Sequence, residues 1–254
     1  MTERVSLKIS VVVPFFNEKE CAGQVCGEIL EVLAPFFGHE WEFIAVDDGS
    51  DDGTPDILSR LAADYPAMMR ALHSRERLGQ SAALKLGFTA AAGETICTLD
   101  GDGQNDPRDL PVLLEQLESK KADMVSGIRV DRHDNWVRRM SSKIANKVRS
   151  SILKDKTTDV GCSVRVFRRQ CLEDIYLFRN FHRFFPALFV MNGFKITEVP
   201  VNHRPRFSGT SKYGGGIRSR LWVGLADLAG VYWLSRRVIN TRAAQGDEGK
   251  PVGR

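Results

Sequence analysis

Glu94-Thr95-Ile96-Cys97-Thr98-Leu99 reads as a strand, and it stops at once on Asp100-Gly101-Asp102-Gly103. A β-branched, apolar run cannot continue through two Asp-Gly pairs, because Asp and Gly both favour a turn there. The same arrangement occurs upstream, where Trp41 to Val46 forms a strand and Asp47-Asp48-Gly49-Ser50 its turn. Ile9-Ser10-Val11-Val12-Val13-Pro14 is another β-branched run, ended by proline, the pattern of a buried strand. Helical stretches lie between these strands. Glu18 to Phe37 carries Ala22, Val25, Ile29 and Val32 or Leu33 at helical spacing. Thr54 can cap a helix with Pro55 at its first position. Ser81 to Ala92 is Ala-rich and ends at Gly93, and Pro107 to Leu117 is a further helix. Met69 to Leu72 and Asp123 to Ser126 add short strands. The alternation predicts an α/β fold, a mostly parallel central sheet flanked by helices, with functional loops at its carboxyl ends.

Beyond residue 128 the rhythm breaks. Arg129 to Lys156 holds nine Lys+Arg and three Asp. Ser163 to Phe167 and Lys195 to Val201 read as strands, with a Phe-rich stretch from Phe178 to Phe189 between them. Asn202 to Gly216 reads as a glycine-rich basic loop, Ile217 to Val238 as a helix and Thr241 to Arg254 as a disordered tail. The halves also differ in charge. Residues 1–128 hold 11 Lys+Arg against 22 Asp+Glu, and residues 129–254 hold 25 against 10, so a net −11 is followed by a net +15. The basic half is expected to face something anionic: nucleic acid, a membrane surface or a phosphorylated substrate.

Composition narrows the class. With 254 residues, 43% hydrophobic and 27% charged, the chain can bury a large core and is neither disordered nor collagen-like. Its five cysteines form no CxxC pair, which reads as reduced thiols. Thr2-Glu3-Arg4 leads straight into strand-like sequence, so no signal peptide is expected, and no apolar stretch approaches the ~20 residues of a membrane span.

Chemistry is expected where the acidic turns meet at one sheet edge. Two carboxylates one residue apart, Asp100 and Asp102, can share Mg²⁺ or Mn²⁺ through oxygen ligands, and such a metal commonly bridges a diphosphate. An isolated Asp-Gly-Asp-Gly is more often merely a solvated turn, and a second acidic turn after another strand weakens that reading. A calcium loop is rejected, because a strand precedes it and Pro107 closes it. Neither Gly-x-Gly-x-x-Gly nor a P-loop is present, which argues against a dinucleotide oxidoreductase and a P-loop kinase.

The motifs occur in a familiar order: Val13-Pro14-Phe15-Phe16-Asn17-Glu18; Val46-Asp47-Asp48-Gly49-Ser50-x-Asp52-Gly53-Thr54; Leu78-Gly79-Gln80-x-x-Ala83-Leu84; and Leu99-Asp100-Gly101-Asp102-Gly103-Gln104-x-x-Pro107. Later come Ser126-Gly127-x-Arg129, Asp159-x-Gly161-x-x-x-Arg165 and Arg206-x-x-Gly209-x-Ser211-Lys212-Tyr213. Over about residues 8–238 the chain resembles family-2 inverting glycosyltransferases with a Rossmann-like GT-A fold, and within them the polyprenyl-phosphate sugar synthases.

The resemblance implies that Pro14, Phe16 and Glu18 line the nucleotide-base pocket and that Asp48 binds base or ribose. It places Asp100 and Asp102 at Mg²⁺ or Mn²⁺, with Gly101 beside the donor and Gln104 beside the metal, and Arg129 near the donor diphosphate. Arg206 and Lys212 belong to a loop that closes over the phosphates, where Arg clamps oxygens bidentately and Lys adds a point charge. Asp159 is either a catalytic base or an orienting carboxylate. Arg138, Arg139 and Lys143 form either an acceptor-phosphate site or a basic helix face. The implied reaction moves a sugar from GDP-mannose or a UDP-hexose to a polyprenyl phosphate. The alternative keeps the fold but uses a saccharide hydroxyl as acceptor, with Asp159 as general base.

The expected organisation is a catalytic domain over 1–216, an amphipathic interfacial helix over 217–238 and a disordered tail over 239–254. Leu221 to Leu234 is too short to span a bilayer, contains Asp227, and is bracketed by Arg218, Arg220, Arg236 and Arg237. Two Trp and a Tyr between basic ends suit a helix lying at a membrane surface; a core helix is the other reading. The enzyme is thus expected to sit peripherally on the cytoplasmic face of the membrane, with a membrane-protein partner or a second copy supplying the anchor. Nucleic acid is not expected as a partner, since no DNA-binding motif or stacking platform accompanies the basic half. A non-catalytic nucleotide-sugar binder is disfavoured by the intact acidic pair.

Overall fold

The computed structural model describes residues 8–130, 146, 148–207 and 217–239. Arg138, Arg139, Lys143, Lys212 and the tail from residue 240 lie outside the described residues. The strands are β1 (Ile9–Phe15), β2 (Trp41–Asp47), β3 (Met69–His73), β4 (Thr95–Thr98), β5 (Met124–Arg129), β6 (Arg165–Arg168) and β7 (Ile196–Val201). The helices are α1 (Ala22–Phe37), α2 (Thr54–Asp64), α3 (Gln80–Ala90), α4 (Asp109–Ser119), α5 (Phe185–Met191) and α6 (Ile217–Ser235), with a further helical stretch over 148–153.

The seven strands form one sheet in the order β3-β2-β1-β4-β6-β5-β7. β6 runs antiparallel to both of its neighbours, and the other pairs are parallel. The expected mostly parallel α/β sheet is therefore present. The chain leaves β1 towards β2 and β3 on one side and returns to place β4 on the other. The loops after β1 and β4 diverge at this switch point and leave a crevice at the strands' carboxyl ends, where open α/β sheets bind ligands.

Period-two alternation sorts the strand residues between two cores. Val11, Val13 and Phe15 face α1 and α4 with Val25, Ile29, Leu33, Leu110 and Leu113; Val12 faces Ala83, Leu84 and Phe88 of α3. The second core is aromatic. Phe185 lies 5.1 Å from Phe167 and from Phe189 and 5.3 Å from Phe181, mostly edge to face, the geometry ring quadrupoles favour. Pro186 in the first turn of α5 starts that helix inside the Phe-rich stretch. All five cysteines are buried, and none forms a disulfide.

α6 departs from the expected amphipathic pattern. Its apolar residues run round the helix rather than along one stripe. Val231 is buried and Leu228 packs on the aromatic core, while Asn180 donates to Asp227 at 2.9 Å. Trp222 (72% exposed), Leu225 and Trp233 (57% exposed) remain on the outside. Among the described residues, no helix is long and apolar enough to cross a membrane.

Candidate active site

At the β1/β4 crevice, Pro14, Phe15, Phe16, Glu18, Asp48, Gln80, Asp100, Gly101, Asp102 and Arg206 line one pocket. Parallel pairing puts the ends of β1 and β2 side by side, Phe15 opposite Asp47, so the turn of Asp48 adjoins Phe16. Two N–H donors at the start of α3, from Leu78 and Gly79, bind the Asp48 carboxylate at 2.9–3.0 Å. Burial pushes this carboxyl above its ordinary value, against the opposing pull of those donors and Arg77. Arg77 also lies 4.1 Å from the Phe16 ring centre, a cation–π contact at the pocket rim.

The acidic turn after β4 is held from three sides. Asn105 accepts the Asp100 N–H at 2.7 Å, Gln80 donates to the Asp100 carboxylate at 2.9 Å, and Asp102 accepts the Gln104 N–H at 3.1 Å. Gly101 is required by close approach: a Cβ there would sit 2.5 Å from the Phe15 ring and 2.8 Å from the Pro14 carbonyl oxygen. Burial, reinforced by Asp102, pushes the Asp100 carboxyl up to about 6.

The segment after β7 then crosses this turn. Asn202 ties it to α4 through two bonds to Asp109 at 2.8 Å, His203 bridges to Asn105, and Arg204 grips Glu28 of α1 at 2.7 and 2.9 Å. These anchors deliver Arg206, which donates to Asp102 Oδ2 at 2.8 Å and to Glu18 Oε1 at 3.1 Å. The Cys21 thiol beside Glu18 is pushed up to about 12, chiefly by burial, so it is no nucleophile.

Arg129 and Asp159 lie outside this pocket lining and form a bidentate pair, Nε and Nη2 each 2.8 Å from a carboxylate oxygen. Gly161 makes room for it, since a Cβ would lie 2.7 Å from Arg129 Nη2. A second cavity, sharing Gln80 and Asp100 with the first, is lined by Gly161, Ser163, Arg165, His182 and Arg183 among others. Arg165 donates to the carbonyls of His182 and Val160, and burial lowers its pKa.

The structure thus gathers Pro14, Phe16, Glu18, Asp48, Asp100, Gly101, Asp102 and Arg206 around one pocket. It does not bring the Gln104 side chain to that lining: its amide turns to the Arg204 carbonyl at 3.4 Å, and only its backbone N–H serves Asp102. Sequence reasoning gave no role to Gln80 or Asn105, which fix Asp100. The signal available was a polar residue opening a helix behind Gly79 and another closing the acidic turn.

Among the described residues, no group of three or more His, Cys, Asp or Glu is placed to hold a metal ion by itself. The donor set still fits Mg²⁺ or Mn²⁺, which take one or two carboxylates and complete their shell with phosphate oxygens and water. Asp100 and Asp102 supply that pair at the pocket floor.

Residues 10–176 match the family described as Glycosyl transferase family 2. The chain belongs to this family. This glycosyltransferase is 35% identical over 234 residues to a dodecaprenyl-phosphate galacturonate synthase of Rhizobium johnstonii, covering 91% of this chain and 68% of that protein. It is 32% identical over 206 residues to an undecaprenyl-phosphate 4-deoxy-4-formamido-L-arabinose transferase of an Enterobacter species, covering 81% of this chain and 62% of that one. The glycosyltransferase therefore spans about two thirds of the length of these relatives. In fold it is similar to glucosyl-3-phosphoglycerate synthase from Mycobacterium tuberculosis, solved with Mn²⁺, UDP-glucose and phosphoglyceric acid: TM-score 0.67, 17% identity, covering 88% of this chain and 80% of that one.

Proposed function

We propose that this glycosyltransferase transfers a sugar from a nucleotide sugar to the phosphate of a polyprenyl phosphate, with Mg²⁺ or Mn²⁺ as cofactor. The observation that carries the reading is the pocket in which Phe16, Glu18 and Asp48 line the same crevice as Asp100 and Asp102, with Arg206 bound to Asp102 and Glu18. A nucleoside would rest against Pro14 and Phe16, and its diphosphate would reach the acidic turn and Arg206. Asp100 and Asp102 would hold the metal, which supplies neutralisation of the departing diphosphate. The names of the relatives support the acceptor class: one is a dodecaprenyl-phosphate sugar synthase and the other an undecaprenyl-phosphate sugar transferase.

The chain's own residues divide the remaining work. A phosphate monoester oxygen is already anionic, so it attacks the anomeric carbon without a strong base, and catalysis rests on alignment and charge stabilisation. Asp159 acts as an orienting carboxylate, since both of its oxygens bind the Arg129 guanidinium. That occupation disfavours the saccharide-hydroxyl alternative, which needs Asp159 as a base. The outer face of α6, with Trp222 and Trp233 exposed and Arg236 and Arg237 at its end, would rest on the membrane surface that holds the acceptor. The test offers a panel of radiolabelled nucleotide sugars to three acceptors: polyprenyl phosphate, polyprenol and free saccharides. Label on polyprenyl phosphate alone supports the proposal; label on saccharide alone refutes it.

A further inference from the structure

Arg206 occupies the donor pocket as a resident cation. Its guanidinium spans Glu18 at 3.1 Å and Asp102 at 2.8 Å, and all three side chains are largely withdrawn from solvent, with 18%, 12% and 14% exposed for Arg206, Glu18 and Asp102. The other Asp102 oxygen accepts the Gln104 N–H, so both oxygens of this carboxylate are committed within the chain. A divalent ion reaching Asp102 must therefore compete with a positive group already hydrogen-bonded to it. Arg206 comes from the segment after β7, whereas Glu18 follows β1 and Asp102 follows β4, so one side chain ties together the three parts of the pocket.

We infer that Arg206 couples the binding of metal and nucleoside diphosphate, with Glu18 as the positioning residue that parks it over Asp102. The inference rests on the donor-pocket reading above but not on the identity of the acceptor. Without a nucleotide, releasing Asp102 leaves the guanidinium with Glu18 alone of its two carboxylate partners, so metal alone binds weakly. A diphosphate offers the displaced guanidinium several anionic oxygens, and the ion and the nucleotide each become easier to bind once the other is present. By linkage the coupling is reciprocal, the same factor in either order. One charge-assisted hydrogen bond in a partly buried site is enough to shift an equilibrium by about tenfold or more.

The test titrates Mn²⁺ by electron paramagnetic resonance in the full chain, alone and with saturating UDP or GDP. The wild type should bind Mn²⁺ weakly alone and at least about tenfold more tightly with the matching nucleotide. In Arg206→Ala, Mn²⁺ alone should bind about tenfold more tightly than in wild type, and the gain from nucleotide should shrink. Arg206→Lys, which keeps the charge but replaces the two-nitrogen fork that reaches Glu18 and Asp102 with a single nitrogen, should fall between them and serves if the alanine variant does not fold. A general field effect predicts a different outcome. Removing one positive charge would leave the metal as the main counter-charge of the diphosphate, so the nucleotide gain would stay or grow. Unchanged binding of Mn²⁺ alone in both variants, or an undiminished nucleotide gain in them, overturns the inference. Absence of any Mn²⁺ or nucleotide binding by the wild type would instead refute the donor-pocket reading itself.

Discussion

The Arg129–Asp159 pair offers a sharp separation between an orienting carboxylate and a general base. The two side chains are 15% and 7% exposed and meet through two bonds of 2.8 Å, with a third from the Arg129 backbone N–H at 3.2 Å. Asp159→Asn keeps the shape but removes the charge and sets an NH₂ against a guanidinium N–H. Breaking one side of a buried pair costs about 3 kcal/mol, because the other charge stays buried without its partner. For a chain of this size that lowers Tm by ~6–12 °C. Arg129→Gln should cost a similar amount for the same reason. The double variant, with two neutral amides, should cost far less than the sum, with a coupling energy of about 2–3 kcal/mol. Urea denaturation with an unchanged m value reads each stability. Turnover gives the second axis: the three variants should be about equally impaired, and the acid limb of the wild-type pH profile should persist in Asp159→Asn. Additive stabilities within ~0.5 kcal/mol, or loss of that limb with stability intact, would refute the orienting role and restore Asp159 as a base.

Asp102→Asn should leave the fold intact and lower turnover by ~100-fold or more, with EDTA reproducing the loss in wild type, measured under saturating donor. Gly101→Ala forces a Cβ against the Phe15 ring and the Pro14 carbonyl, so it should cost about 1–3 kcal/mol and weaken nucleotide binding, read by denaturation and calorimetry. His182 is held down at about 3, chiefly by burial and then by Arg183 and Arg165, while its unfolded form titrates near 6.5. The unfolded chain therefore takes the proton first. Stability from this group is present above pH ~6.5 and is lost as pH falls towards 3, by up to about 1.4 kcal/mol per pH unit. Replacing it in His182→Asn should flatten that slope. Trp222→Ala with Trp233→Ala should abolish sedimentation with anionic liposomes while shifting Tm by no more than about 2 °C, because both side chains stand outside the body.

What could be read in the sequence follows from how local its causes are. The acidic turns after β2 and β4 were legible because Asp and Gly stop a β-branched run within one or two residues. Parallel pairing then forces those turns to one edge, which is why Phe16, Asp48, Asp100 and Asp102 meet as expected. α1 begins at Ala22 rather than Glu18: the Cys21 and Ala22 N–H groups both close on the Glu18 carbonyl in a separate turn, which Thr54 Oγ1 and Asp52 pin through the Glu18 and Lys19 N–H groups. α5 was hidden because a Phe-rich stretch is apolar on every face, so no helical period stands out. The Gln104 side chain was misplaced because its direction depends on the Arg204 carbonyl, far along the chain. The Arg129–Asp159 and Arg206–Glu18 pairs join residues remote in sequence, and no spacing rule reaches them. The apolar residues of α6 suggested an interfacial stripe, but the packing of Val231 and Leu228 shows that the helix also serves the core.

A polyprenyl-phosphate acceptor attacked through its phosphate oxygen keeps that phosphate in the product. Mass spectrometry of undecaprenyl phosphate after incubation with the matching nucleotide sugar and Mn²⁺ tests this directly. The expected product is a lipid heavier by one sugar residue with its phosphate kept, formed one for one with free nucleoside diphosphate, and absent with Asp102→Asn. Release of nucleoside diphosphate with the lipid mass unchanged, or growth of a saccharide in its place, would contradict it.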